Sequence, residues 1–241
     1  MEYISEGPFR VGILYEDNHL LVAVKPFNMP SQADESGDPD MLTCLKAYIK
    51  RRYDKPGDVY LGLVHRLDRP AGGVMVFART SKAAGRLSEQ FSHHLQGRHY
   101  LLVTRGTAGG TYSFEDHLRK DPDGFVRVVS KDAPGAKYAR LTSACLASKD
   151  DLTLRDAELF TGRAHQIRVQ HASRGCPLYG DARYGGGKPG QQLALWAVSL
   201  TLEHPTRHDE MTFACPPPDA FPWSLFADAI AAGGYTESSP E

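Results

Sequence analysis

Residues 63-LVHRLDRPAGGVMVFART-80 start as an apolar strand and then present His65, Arg66, Asp68 and Arg69 within five residues. The run breaks at Pro70-Ala71-Gly72-Gly73 and turns apolar again. A plain hairpin needs neither an Arg-x-Asp nor this many turn residues. Asp68 sits where a strand ends, and Arg66, two positions earlier, shares its face if the strand continues. A surface ion pair, worth about 0–1 kcal/mol, would use the same residue types. The setting argues otherwise. The flanking strands are strongly apolar, which makes Asp68 half-exposed, and the neighbouring cations favour a charged carboxylate. Gly72 and Gly73 would let a ligand or another backbone come close. Asp68 is therefore the first candidate for chemistry.

On the N-terminal side, 11-VGILYED-17 and 20-LLVAVKP-26 read as a strand pair around Asn18-His19. Asp38-Pro39 predicts the start of a helix whose apolar stripe is 41, 42, 45, 48 and 49, with Pro56-Gly57 beyond its end. Strand 59–65 leads into the charged break and strand 74–78 leaves it. Ser81 is a cap for a helix over 82–95, with Ala84, Leu87, Phe91 and Leu95 on one face and Gly97 closing it. Strand 99–106 follows, then a hairpin over 114–130 turning at Asp121-Pro122-Asp123-Gly124. Strands 138–147 and 152–160 come next. Thr161 is a cap candidate for a helix or irregular turn that stops at Gly175, and 180-GDARYGGGKPG-190 reads as a flexible loop. Strands 193–203 and 210–214, a short helix over 222–232 and a disordered tail over 233–241 complete the chain. Many strands with few helices predict an α+β fold: a mixed, largely antiparallel central sheet with flanking helices, built as a single domain.

The chain has 241 residues, 41% of them hydrophobic and 24% charged, the balance of a soluble globular protein. No signal-peptide pattern and no membrane-spanning run is visible, and the four cysteines (Cys44, Cys145, Cys176, Cys215) form no CxxC pair. These features predict a cytoplasmic protein with reduced thiols and no membrane partner. Net charge is −1, which by itself points to no polyanion. Locally the picture differs. Residues 65–105 carry seven Lys/Arg against two acids, and 161–190 carry five against Asp181. Two such segments would form one anion-binding face if the fold joined them.

The second constellation is 161-TGRAHQIR-168. In a helix, His165, Arg168 and His171 line one side. A metal site using His165 and His171 is one reading, but helical zinc histidines stand at i,i+4, and no Cys or Glu lies at ligand spacing. Arg163 and Arg168 suit phosphate or carboxylate better, through the guanidinium fork. No phosphate-binding glycine loop and no GxSxG is present. Tyr100, in 98-RHYLLVTRG-106, is the third candidate.

Taken in order, these segments resemble the RluA-type pseudouridine synthases. The family's HRLD is present at 65–68. The Thr-Ser-Gly that follows in the family survives only as a glycine, with Ala71-Gly72 in place of the hydroxyls. A basic residue, Tyr and Gly recur as Arg98, Tyr100 and Gly106, and TGRxHQ(I/L)R is intact at 161–168. The stretches 175-GCPLYGDARYG-185, ILYED…LLVAVKP and 204-HP…MTFACP-216 are similar to further family segments. The resemblance covers residues 11 to 217. It implies the pseudouridine synthase fold with a catalytic cleft, and isomerisation of a uridine in structured RNA, ribosomal or transfer, without cofactor or metal. It implies Asp68 as nucleophile, Arg168 paired with it, and Tyr100 against the uracil. Arg66 would enter the space left by the flipped base, with His65, Arg69, Arg163 and His165 also at the RNA. Target selection would fall to the catalytic domain, since no small N-terminal RNA-binding module is expected before residue 11, and the protein is expected to act as a monomer with no protein partner. An inactive RNA-binding protein of the same fold is the alternative, and a metal-dependent hydrolase a more distant one.

Overall fold

A computed structural model describes residues 1–93, 96–107, 109–188 and 190–238. The elements run β1 (Glu2–Glu6), β2 (Phe9–Glu16), β3 (Leu20–Lys25), α1 (Met41–Arg52), β4 (Gly62–Leu63), β5 (Gly72–Ala78), α2 (Ser81–His93), β6 (Gly97–Arg105), β7 (Thr111–Lys120), β8 (Val126–Val129), β9 (Lys137–Lys149), β10 (Leu152–Leu159), α3 (Gln166–Ala172), β11 (Leu195–Glu203), β12 (Glu210–Ala214), a 3-10 turn (Trp223–Phe226) and α4 (Ala227–Ala232). The chain divides into two compact units. One comprises Met1–Gly97, Ala197–Pro216 and Thr236–Glu241; the other comprises Arg98–Trp196 and Pro217–Tyr235.

The first unit orders its strands β1-β2-β3-β5-β11, with β12 on β11 and β4 on β5. Strands β3 and β5 are buried along their whole lengths. A filled position such as Phe77 or Leu21 contributes about 1.5–3 kcal/mol by leaving water. Asp17 turns β2 into β3 by accepting the backbone N–H groups of His19 and Leu20, both at 2.7 Å. Helix α1 buries Met41, Cys44, Leu45, Tyr48 and Ile49.

The second unit orders its strands β6-β10-β9-β7-β8, antiparallel throughout. Helix α3 packs on β7 and β8, and Leu118, Val126, Ala139 and Val169 form a core against which Tyr184 lies.

Several boundaries differ from the sequence reading. Helix α1 starts later because its cap is Asp40, whose carboxylate accepts Thr43 N–H at 3.0 Å; Asp38 is engaged by Arg69 instead. Thr80 rather than Ser81 caps α2, accepting Ala83 N–H at 3.1 Å, and Gly97 opens β6. Leu95 lies outside the described residues. The loop from Gly180 to Gly187 is tightly folded: the N–H groups of Gly185 and Gly187 both reach Asp181 O, at 2.9 and 3.0 Å. Within the expected tail, Ser238 exchanges backbone hydrogen bonds with Ala214 at 2.9 and 3.0 Å; residues 239–241 lie outside the described residues. The four cysteines form no disulfide. No helix among the described residues is long and apolar enough to cross a membrane.

Candidate active site

In the first unit, β4 ends at Leu63 and the chain crosses to β5 through residues 64–71. The His65 ring is stacked on Phe91, with centroids 4.6 Å apart. Its Nε2 accepts Val76 N–H at 3.0 Å, which places the ring proton of the neutral form on Nδ1. His65 is thus built into the scaffold. Leu67 is tied at both its N–H and its C=O to the Ser31 hydroxyl, at 3.2 and 2.9 Å. The turn then closes through Ala71 N–H to Asp68 O at 3.0 Å.

Beneath this turn lies Lys25, fully buried at the end of β3. Its Nζ donates to Pro26 O at 3.1 Å, Arg69 O at 3.0 Å and Ala71 O at 2.7 Å. Burial pulls this ammonium down to about 7, with Asp68 acting in the opposite sense. Asp68 itself is half-buried. Both flanks of the candidate nucleophile are therefore fixed, which holds a reacting group to one geometry. Neither Ser31 nor Lys25 was singled out from sequence, although a lysine closing the apolar run 20-LLVAVKP-26 is an available signal.

Arg66 is exposed and makes no hydrogen bond or ion pair among the described residues. Arg69 does not turn towards Asp68. Its guanidinium bonds Asp38, Ser36 Oγ at 2.9 Å and Asn28 O at 3.2 Å, and lies 3.5 Å from Asp34. The close approach permitted at Gly73 is to another backbone: at φ +118°, an added Cβ would fall 2.2 Å from Ala197 O in β11.

In the second unit, Tyr100 is buried on β6 and shares its strand face with Arg98. The Arg98 guanidinium is buried beneath Gly162, where an added Cβ would sit 2.7 Å from Nη1. Burial lowers this cation below its ordinary value, and Tyr100 opposes the effect. The 161–168 motif clamps β9. Thr161 Oγ1 accepts Arg140 N–H at 2.8 Å and donates to Gln166 Oε1 at 2.8 Å, while Gln166 Nε2 donates to Arg140 O at 3.0 Å. Thr161 is thus a sheet anchor rather than a cap, and α3 begins only at Gln166. Arg163 Nε donates to Tyr138 O at 2.8 Å. His165 takes a left-handed φ of 51° just before the helix. Its Nδ1 lies 2.7 Å from Tyr184 Oη, which also accepts Val126 N–H at 2.9 Å.

Arg168 lays its fork on Asp181: Nε to Oδ2 and Nη2 to Oδ1, both 2.8 Å, with both side chains buried. Asp181 also accepts the N–H groups of Arg183 and Tyr184, each at 3.0 Å. Burial alone would raise this carboxyl; the Arg168 guanidinium and the two N–H groups outweigh it and hold it below the usual carboxylate range. Of the two histidines a metal site would use, His171 has both ring nitrogens engaged within the second unit. His171 is fully buried, donating from Nδ1 to Ile167 O at 2.8 Å with Nε2 3.0 Å from Ser143 Oγ. Asp68 belongs to the first unit, and Tyr100 and Arg168 to the second.

Residues 19–173 match the family model described as RNA pseudouridylate synthase. The chain is 36% identical over 209 residues to the uncharacterized RNA pseudouridine synthase YhcT of Bacillus subtilis, covering 84% of this chain and 67% of that one. It is 33% identical over 228 residues to the ribosomal large subunit pseudouridine synthase D of Xanthomonas campestris, covering 87% and 66%. The fold is shared with the solved structure of human RNA pseudouridylate synthase domain containing 4, at TM-score 0.72, 24% identity and coverage of 91% and 92%.

Proposed function

We infer that this chain, which belongs to the RNA pseudouridylate synthase family, isomerises uridine to pseudouridine within RNA. The reaction breaks the bond from N1 of uracil to C1′ of ribose and forms one from C5 to the same carbon. C5 loses a proton and N1 gains one, so the product has the atoms of the substrate. No electrons are transferred, and acid–base and nucleophilic groups suffice. A base inside a stack cannot be reached, so the uridine must be flipped out, at about a few kcal/mol.

In this reading Asp68 is the nucleophile, Tyr100 the ring that meets the uracil, and Arg168 a cation that serves the same reaction. Arg66 fills the space the base vacates. Arg69, Arg163 and His165 flank the RNA, while their hydrogen bonds to Asp38, Tyr138 and Tyr184 shape the surface it meets. His65 supports the turn from behind. The observation that carries the reading is the Asp68 turn, tied by Ser31 on one side and by buried Lys25 on the other.

The substrate is a structured ribosomal or transfer RNA. Total RNA from a strain lacking the gene, incubated with the protein and mapped for pseudouridine, should show conversion at one or a few discrete uridines. No new pseudouridine would contradict the reading and favour an inactive RNA-binding protein.

A further inference from the structure

On the second unit, three side chains given no individual role above form a ladder. Arg105, the last residue of β6, is exposed, and its Cζ lies 5.3 Å from the ring centroid of Tyr179. Tyr179 meets Phe221 edge to face, with centroids 5.3 Å apart at 79°. Phe221 is 56% exposed, more than any other large hydrophobic residue described. Arg105 has no ion pair among the described residues.

The support is rigid. Arg105 N–H bonds Pro177 O at 2.9 Å, Tyr179 N–H bonds Val103 O at 2.8 Å, and Tyr179 O accepts Ala194 N–H at 2.9 Å. Gly180, next in the chain, has φ +74°, and an added Cβ would meet Gln192 O at 2.0 Å. Phe221 leaves most of its ring in water, and the Arg105 guanidinium has no acid beside it among the described residues. An exposed ring backed by a second ring and an unpaired cation offers what an unpaired nucleotide needs: a flat apolar face for the base and a positive charge for the phosphate.

We propose that Arg105, Tyr179 and Phe221 form a stacking platform for an unpaired RNA nucleotide other than the target uridine, the base resting on Phe221 and the phosphate on Arg105. The proposal rests on the reading that the chain acts on RNA. Tyr100 and Arg105 are five positions apart on one strand, about 17 Å along it, and the odd spacing puts them on opposite faces of the sheet. The platform therefore receives a nucleotide other than the one Tyr100 meets, and the substrate class becomes RNA with a second unpaired position able to reach the opposite face of this sheet.

Fluorescence anisotropy with labelled oligouridine and with a short RNA duplex tests this on wild type, Phe221→Ala, Phe221→Trp and Arg105→Ala. Phe221→Ala should weaken oligouridine binding about tenfold and leave duplex binding and thermal stability unchanged. Phe221→Trp should retain affinity, and Arg105→Ala should weaken binding and flatten its salt dependence. Wild-type affinity in Phe221→Ala would overturn the proposal, as would equal losses on single strand and duplex. So would self-association of the wild type that Phe221→Ala abolishes with RNA binding intact, since the patch would then cover a second copy of the chain. Pseudouridine formation is scored separately. A wild type that binds oligouridine through Phe221 but modifies no RNA would leave the platform standing and remove the enzymatic reading.

Discussion

The cations of segments 65–105 and 161–190 are largely engaged within the chain. Arg79 pairs with Glu16 at 2.9 Å, Arg174 with Asp116 at 2.9 Å, Arg69 with Asp38, and Arg168 with Asp181. Local net charge therefore overstates how much positive surface is offered to RNA. Arg66 and Arg105, which have no such pair among the described residues, gain weight as contacts. The Arg168–Asp181 fork is the buried pair on which the second unit's candidate site depends. Removing one partner of such a pair leaves an uncompensated charge and costs about 3–5 kcal/mol. Asp181→Asn should lower the thermal midpoint by about 2–4 °C per kcal/mol lost. It should also reduce kcat more than RNA affinity, because Arg168 loses its aim; thermal unfolding beside single-turnover rates checks both. An unchanged midpoint and rate would mean that the fork positions nothing. This role was not legible in sequence. Asp181 stood inside a quoted motif, but its partner is thirteen residues away through a loop whose path no local pattern encodes.

At the scale of elements, strands β10 and β12 fall within a residue or so of where periodicity placed them, because their alternation or apolar runs match a two-residue repeat. The misses have physical reasons. Strand β1 escaped notice because its residues, Glu2–Glu6, are mostly polar. The strand read over 59–65 shrinks to Gly62–Leu63 because the His65 ring, not a backbone carbonyl, takes Val76 N–H. Helix α3 loses its first turn because Thr161 and Gln166 bond β9. Gly73 is the tightest of these junctions. Gly73→Ala should be strongly destabilising, since a left-handed backbone adds about 1–3 kcal/mol of strain on top of a Cβ placed 2.2 Å from Ala197 O. Gly57→Ala, with nothing within 4 Å of the new Cβ, should stay within about 0.5 kcal/mol of wild type. Urea unfolding of the two variants separates the claims; equal stabilities would remove the β5–β11 contact from the account.

For the molecule as a whole, five ordered motifs made the family legible, while the division into two compact units assembled from distant segments left no local trace. Stability should follow pH through buried His171. Burial holds it down to about 4, with the charges of Arg155 and Arg174 adding to the effect and the Ile167 carbonyl opposing it. The unfolded chain binds a proton near 6.5. Between these values the unfolded state holds more protons, so stability should fall as pH drops from about 6.5 towards 4, by about 1.4 kcal/mol per unit for this group. His171→Leu, though less stable at neutral pH, should flatten that limb; urea midpoints across the range provide the check, and an identical slope in the variant would refute it. The proposed chemistry rests on the carboxylate at position 68. RNA labelled with tritium at uracil C5 reads the reaction directly, because the C5 proton leaves only when the new carbon–carbon bond forms. Wild type should release tritium, and Asp68→Asn should release none while binding the same RNA with near-wild-type affinity. Release by Asp68→Asn at a rate close to wild type would contradict the claim that this residue carries the chemistry.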